Sequence, residues 1–583
     1  LSGFDIAVPV SITGGEYSIN GGTFTSAAGT VSANQSVAVK LVASANHSTT
    51  TTAQLTVGGV SAGFSVTTLP DSTPDAFSFT AKTGAAINTA YTSDAVTVKG
   101  IDTAVAISIT GGQYSVNSGA FTAAAGTVSV NDTVRVKATA ANGSELTREA
   151  VLTIGGVTGI YSITTVPDTT APVAEFKFPT PYTMSEANSV KVRGTATDEH
   201  AITSVKLVVD ETEIEATPKS EINGIKDFSS WTATIPLTAN TKNEIEVIAT
   251  DDRNNTTSLA NANKVTVRQA GAKSAFPDEV NQFDEATYTT LDNANNRNRL
   301  LVADRGKIWA VDFATGKRTL FVDHHTSCSS VLYGLLIDDQ SDKLYGVCDN
   351  TLYEFDLSDG SLIDTYIESQ LTSNLIFGLA LDRSSGRNRI VMVEDAYEHS
   401  APGGIVLGFS LDTKQFSLIS NANNSPLIKG ARNIVVVGDK YLVTTGGQHA
   451  DGNTHSVISI DASTGEHSLV SDNAVGSGEL FSGELPDGNW PAIRGVVLDN
   501  RNLFISESLS NRLISLNLDT GERSLFKDLS YYNENSVGLF VDDLDLDSAR
   551  ELLVTTDSTR DAIIIVDLKS REKLILSKSK NNF

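Results

Sequence analysis

Two cysteines and two methionines in 583 residues exclude a disulfide-dense scaffold and a cysteine-rich metal module. Basic residues are also scarce, 43 against 69 acidic ones, giving a formal net charge of −26. A polyanionic partner, whether nucleic acid or an anionic membrane surface, would be repelled by that excess. No apolar run approaches the roughly 20 residues of a membrane-spanning helix. Stretches such as AIIIVDL and NIVVVG have strand length. Long helical periodicity is missing as well. No secretion signal opens the chain, so the expected state is a processed or trimmed form. What is abundant is Gly, Ser, Thr, Ala, Val and Asn, the mix of a turn-rich, all-β protein. The chain is also too long for a single core.

Residues 286–583 repeat one pattern six times: an apolar strand ending in Asp, a second apolar strand, a third closing on Asp, then a Gly-turn into a fourth. The third strands read AVDFATGKRTL, EFDLSDGSL, GFSLDTKQFSL, SIDASTGEHSL, SLNLDTGERSL and IVDLKSREKLIL. Their equivalent positions are Asp312, Asp356, Ser410, Asp461, Asn517 and Asp567, spaced 44, 54, 51, 56 and 50 apart. Four strands per unit of roughly 40–50 residues predict a six-bladed β-propeller.

The front half repeats too. VPVSITGGEYSINGGTFTSAAGTVS (8–32) matches VAISITGGQYSVNSGAFTAAAGTVS (105–129), and LTVGGVSAGFSVTT (55–68) matches LTIGGVTGIYSITT (152–165), all at an offset of 97 residues. Short strands with GG, NG and SG turns predict β-sandwiches. The second copy begins near Pro74 with PDAFSFTAKTGAAINTAYTSDAVTV, to which the first copy has no counterpart. A sandwich short of these strands is expected to expose an edge and part of its core. The predicted fold is therefore tandem Ig-like sandwiches followed by the propeller. Its divisions are 1–73 (truncated), 74–170, 171–268, a linker at 269–285, and 286–583, with PDSTPD and PDTTAP as short hinges.

In a propeller the innermost strand of each blade lines the channel, and ligands occupy the mouth. The inner strands read LYGLLID, IFGLALD, ARNIVVV, IRGVVLD and SVGLFVD, with Gly334, Gly378, Asn433, Gly495 and Gly538 at one recurring place. Small residues there let the strands crowd around an axis. His324, His325, His399, His449 and His455 fall in loops of three neighbouring blades on one face, a set suited to metal ligation or proton transfer. Glu394 and Tyr397 extend it. Arg432 and Arg494 each stand one residue before the small position, at the mouth. Trp490 and Tyr531 offer stacking surfaces for sugar rings. Neither H-E-x-x-H nor G-x-S-x-G occurs. Cys328 and Cys348 are spaced to form a disulfide pinning the loop of His324 and His325. DDLDLDS (542–548) reads as a turn on the opposite face, with Asp542, Asp543, Asp545 and Asp547 as ligands for Ca²⁺.

The blade consensus G-L-x-x-D…L-x-V-x-D…I-x-x-I-D-L-x-T-G-x-R-x-L resembles the six-bladed propellers of the gluconolactonase (regucalcin-like) and NHL group. For lactonases of that group the resemblance implies one divalent metal held by a Glu, an Asn and an Asp on inner strands. Asn433 would fill the Asn role, but no Glu opens the first inner strand. G-T-A-T-D, the Trp of WTATIPL and N-x-I-x-V-x-A-T-D-x-x-x-N-T make residues 171–268 similar to bacterial Ig-like domains. The first two copies resemble the repeats of large bacterial adhesins. These resemblances imply an extracellular or cell-surface protein whose stalk displays a propeller that binds a carbohydrate or protein ligand. The alternatives are a secreted polysaccharide lyase or lactone hydrolase, and a structural assembly subunit in which a neighbour lends a strand to the truncated sandwich.

Overall fold

The computed structural model describes residues 1–257, 263–271, 276–277, 281–293, 295, 297–323, 332–368, 376–394, 404–421, 426–428, 430–446, 455–482, 492–530 and 541–579. Among them the chain is all-β, with short 3₁₀ turns such as Ser384–Gly386 and Pro426–Ile428 between strands. It forms two compact units, Leu1–Thr169 and Thr170–Phe583.

The first unit holds the two repeats at matching registers: Val10 pairs with Val57 as Ile107 pairs with Ile154. In the second repeat one sheet runs in the order Gly126–Val128, Val105–Thr110, Thr147–Ile154, Val157–Thr165, Lys82–Ala85. The other contains Gln113–Val116, Thr133–Thr139 and Ala90–Thr92. Alternating residues Val134, Val136 and Ala138 on one sheet and Tyr161 and Ile163 on the other are all buried, as two facing sheets require.

In the second unit, six sets of four antiparallel strands follow one another along the chain, the fifth extended by the parallel pair Ser477–Gly478 and the sixth running on into a larger sheet. Their innermost strands are Ala286–Asp292, Tyr333–Asp338, Ile376–Asp382, Ala431–Val437, Ala492–Asp499 and Leu544–Asp547. Neighbouring inner strands touch in sequence, and the last touches the first. This closed ring is the layout of a β-propeller, and we number its sheets as blades 1–6. Closure is sealed by bonds between blades 6 and 1. Thr556 Oγ1 donates to Thr287 O at 2.5 Å, the Thr289 amide donates to Asp543 at 3.1 Å, and Arg550 reaches Asn298. At the end of the channel away from the mouth, Asp292, Asp338, Asp382 and Asp547 close their inner strands and are buried. Arginines answer them: Arg297 and Arg299 on Asp292, Arg383 of blade 3 on Asp338 of blade 2, and Arg387 on Asp382.

The last blade departs from the sequence expectation. Asp542–Asp547 is not a turn on the far face, because Leu544–Asp547 is the inner strand itself. Asp547 fills the closing-Asp place, and Asp543, not Gly538, takes the recurring small position. Leu544 packs away from the channel into the blade core while Asp543 and Asp545 turn toward the channel, so an acidic strand stands where an apolar one was expected.

The segment after Gln269 also does more than connect. Phe276 is fully buried and exchanges two backbone hydrogen bonds with Lys578 in the outermost strand of blade 6. That strand, Lys573–Lys578, is joined through Met184↔Ile575 to Tyr182–Ser185 of the sandwich before the propeller, making one nine-stranded sheet. The sandwich core around Trp231 is continuous with the faces of blades 1 and 6. Arg193, 7% exposed, clamps the junction through Asp567 (2.7 Å), the Arg550 carbonyl (3.1 Å) and Glu551 (2.8 Å).

Candidate functional site

The mouth is built by the residues that open the inner strands. Going round the ring, the position before the recurring small residue holds Tyr333, Phe377, Arg432, Arg494 and Asp542. Because the blades are equivalent, these five side chains share one level. Tyr288 of blade 1 meets Tyr333 edge-on at 6.1 Å, and Tyr333 meets Phe377 edge-on at 5.6 Å. The Arg432 guanidinium lies over the Phe377 ring at 4.6 Å, within cation–π range. Arg494 pairs with Asp542, whose other oxygen accepts from Ser558. The mouth is thus aromatic across blades 1–3, cationic on blades 4 and 5, and acidic on blade 6.

One level deeper lies a cavity of about 300 Å³ whose wall includes Tyr288, Asn433, Asp543 and Asp545. Alternation along the strand points Asp543 and Asp545 the same way. Asp543 accepts from the Thr289 amide (3.1 Å) and from Asn433 Nδ2 (3.4 Å). Burial nevertheless dominates and pushes its carboxyl up to about 7. Burial, with the charge of Asp543 added, raises Asp545 as well. Asp542 is raised by burial against the opposing pull of Arg494, and burial lifts the Tyr288 hydroxyl well above its ordinary value.

The donor set does not fit the metal of the lactonase group. Three of the six recurring positions are the glycines Gly334, Gly378 and Gly495, and blade 1 offers Tyr288 and no Glu. The Asn433 side-chain oxygen Oδ1 already accepts from the Ile434 amide at 2.8 Å. Nor do the four acids of blade 6 converge on one Ca²⁺. Strung along a strand rising about 3.3 Å per residue, they serve separate ends. Asp542 holds Arg494 at the mouth, while Asp547 caps the amides of Ala549 and Arg550 at the other end.

Of the residues expected at the site, Arg432, Asn433 and Arg494 stand at the mouth or channel. His455 does not: it is fully buried, edge-on to Phe481 at 6.4 Å. It sits against Gly446, where a Cβ would come within 2.6 Å of its Nδ1. Expected in an open loop, His455 instead stands just before Ser456–Asp461, and Gly446 makes room for it inside. Glu394, 1% exposed, ends the second strand of blade 3 opposite Ile376. Cys348 is buried and disulfide-bonded. His324, His325, Cys328, Tyr397, His399, His449, Trp490 and Tyr531 lie outside the described residues. Sequence reasoning singled out Arg432 and Arg494 by register yet missed Tyr333 and Phe377, which precede Gly334 and Gly378 in the same way.

No family model matches the chain, and no curated protein matches it. Similar solved structures include a nidogen/laminin complex, at 17% identity over 48% of this chain and 93% of that one, with a TM-score of 0.37. A Bacteroides thetaiotaomicron protein of unknown function is 14% identical over 70% of this chain and 98% of its own, TM-score 0.36. The β-propeller domain of Myceliophteria thermophila Cps50 (Swd1) is 12% identical over 52% and 89%, TM-score 0.34. At these scores the likenesses carry no argument about function.

Proposed function

We propose that this is an extracellular or cell-surface bacterial protein in which three Ig-like sandwiches carry a six-bladed propeller, whose mouth captures a carboxylate-bearing carbohydrate. The observation that carries the reading is the unbroken arc Tyr333–Phe377–Arg432, with Arg494 in the next blade. Aromatic faces take the apolar side of sugar rings, and guanidinium groups take carboxylates in paired hydrogen bonds. The net charge of −26 repels an anionic chain from the surface at large, so its capture rests on the local guanidinium groups of Arg432 and Arg494. Titration calorimetry with an oligouronate and with its neutral counterpart tests it. Binding of the acidic chain alone, weakened about tenfold or more by Arg432→Ala, is expected. Equal binding of both chains, or of neither, refutes the reading.

A second reading, a secreted lyase or lactone hydrolase, is favoured by one observation. Asp543 keeps its proton up to about pH 7 at the floor of the mouth, where a general acid would be wanted. Product release from an oligouronate or a lactone, abolished by Asp543→Asn, would bring it forward.

A further inference from the structure

The channel below the mouth has a chemistry of its own, set by two rings of residues. Level with Asp543 stand Tyr288, Gly334, Gly378, Asn433 and Gly495, so three blades contribute no side chain and the channel stays wide. Alternate residues of a strand face the same way. Two residues on, Asp545 is therefore level with Thr290, Leu336, Ala380, Val435 and Val497. The cavity of about 300 Å³ thus has an acidic flank on blade 6 and an aliphatic flank on blades 2–5.

No charge in the wall answers the two carboxyls. Among the described residues no Lys, Arg or His lines the cavity. The guanidinium groups of the mouth are engaged one level up, Arg494 on Asp542 and Arg432 over Phe377. Asp543 accepts from uncharged amides, those of Thr289 and Asn433. Asp545 Oδ2 makes no hydrogen bond. Nor does Thr289 Oγ1, although Thr289 is 1% exposed and lines the same cavity. The hydroxyl approaches Asp545 without closing a bond on it. Two carboxyls and an unmatched hydroxyl therefore border one space, with acceptor capacity to spare and no cation among the lining residues.

The rest of the wall decides which cation fits. A hard metal ion takes about six oxygen ligands, whereas most other places in both rings hold Gly, Ala, Leu or Val. A primary ammonium needs acceptors for three N–H groups, and a methylene stem gains from burial against Leu336, Val435 and Val497. Tyr333 and Phe377 at the mouth edge the way in with aromatic rings, which attract a cation.

We propose that the propeller channel binds a primary alkylammonium group, its head held by Asp545, Asp543 and Thr289 and its stem laid on the aliphatic flank. The inference does not rest on the uronate reading: a mouth that takes no acidic sugar leaves it standing, and the two are tested with different probes. Titration calorimetry of the full chain with pentylamine, pentanol and calcium chloride tests it. Salt at about 0.15 M screens attraction by the acidic surface, and a pH above about 7 keeps Asp543 ionised. Pentylamine is expected to saturate one site, with pentanol about tenfold weaker or more, because it lacks the charge-assisted bonds. Asp545→Asn keeps the shape of the side chain and should weaken pentylamine about tenfold or more, with an unchanged circular dichroism spectrum showing that it folds. In the wild type, pentylamine should slow hydrogen exchange in Leu544–Asp547 and leave Thr133–Thr139 unchanged, a readout that needs no variant. The proposal is overturned if pentylamine does not saturate, if pentanol binds as tightly, or if Asp545→Asn binds pentylamine like the wild type. Protection that spares the inner strands overturns it as well. So does saturable calcium binding without pentylamine binding, which would make a metal ion the occupant.

Discussion

Replacing Asp543 by Asn probes the channel floor most directly, because the two states of the carboxyl make opposite predictions. In the folded protein the group titrates at about 7 instead of 3.8. Its contribution to stability is therefore present in full below the unfolded carboxyl's pKa of about 3.9, and is lost as pH rises through about 7. A rise of about 3 pH units, at about 1.4 kcal/mol each, makes the wild type about 4 kcal/mol less stable at pH 8 than at pH 4 on this account alone. Asn at 543 carries no such term. It keeps an acceptor for the Thr289 amide but turns its own amide toward Asn433 Nδ2, forfeiting a long 3.4 Å bond at about 1 kcal/mol. Asp543→Asn should thus be about 1 kcal/mol less stable than wild type at pH 4 and about 3 kcal/mol more stable at pH 8, the curves crossing between. Because the chain has several cores, a single unfolding transition is not assumed. The measurement is native-state hydrogen exchange of the slowest inner-strand amides at pH 4, 6 and 8, corrected for intrinsic rates. Parallel profiles for the two proteins would show that Asp543 is ionised throughout, and would remove the proton donor from the enzymatic reading.

At the junction, Arg193→Met leaves the fully buried Asp567 without its counter-charge. The sandwich–propeller unit should lose roughly 3–5 kcal/mol in denaturant unfolding, with part restored in Arg193→Met/Asp567→Asn. For Asp382, burial raises the pKa, but hydrogen bonds from Ser384, Tyr441 and Arg387 prevail and hold the carboxyl at about 2. Its stabilisation is present above the unfolded value of about 3.9 and is lost as pH falls through about 2. Asp382→Asn should therefore lose stability at neutral pH and show a shallower acid-unfolding profile than wild type by circular dichroism. Gly194 lies under Trp231, where a Cβ would meet the Glu175 carbonyl at 2.0 Å and the indole at 2.2 Å. Gly194→Ala should cost about 1–3 kcal/mol or more and shift Trp231 fluorescence; an unchanged spectrum and melting point would refute the packing argument.

The repeats were legible because blades and sandwiches are built by recurrence. Where a strand alternates apolar residues and closes on Asp, as in LYGLLID and IRGVVLD, period and turn chemistry suffice. The failures share one cause: a position's role is set by what the ring places beside it. SVGLFVD looks like an inner strand because it is apolar, whereas the strand that fills the sixth place is DDLDLD. Its outward Leu residues feed the core, and its Asp residues can stand in the channel because Asn433, Thr289 and Arg494 come to them from other blades. No local pattern announces partners 48 to 254 residues away. The closing Asp was the usable signal: setting Asp547 level with Asp338, Asp382 and Asp499 puts Asp543 over Gly334, Gly378 and Gly495. The same alignment sets Tyr333 and Phe377 level with Arg432 and Arg494. Register, more than residue chemistry, is what reveals a propeller's mouth, and His455 shows the converse, a chemically suggestive residue whose register places it in the core.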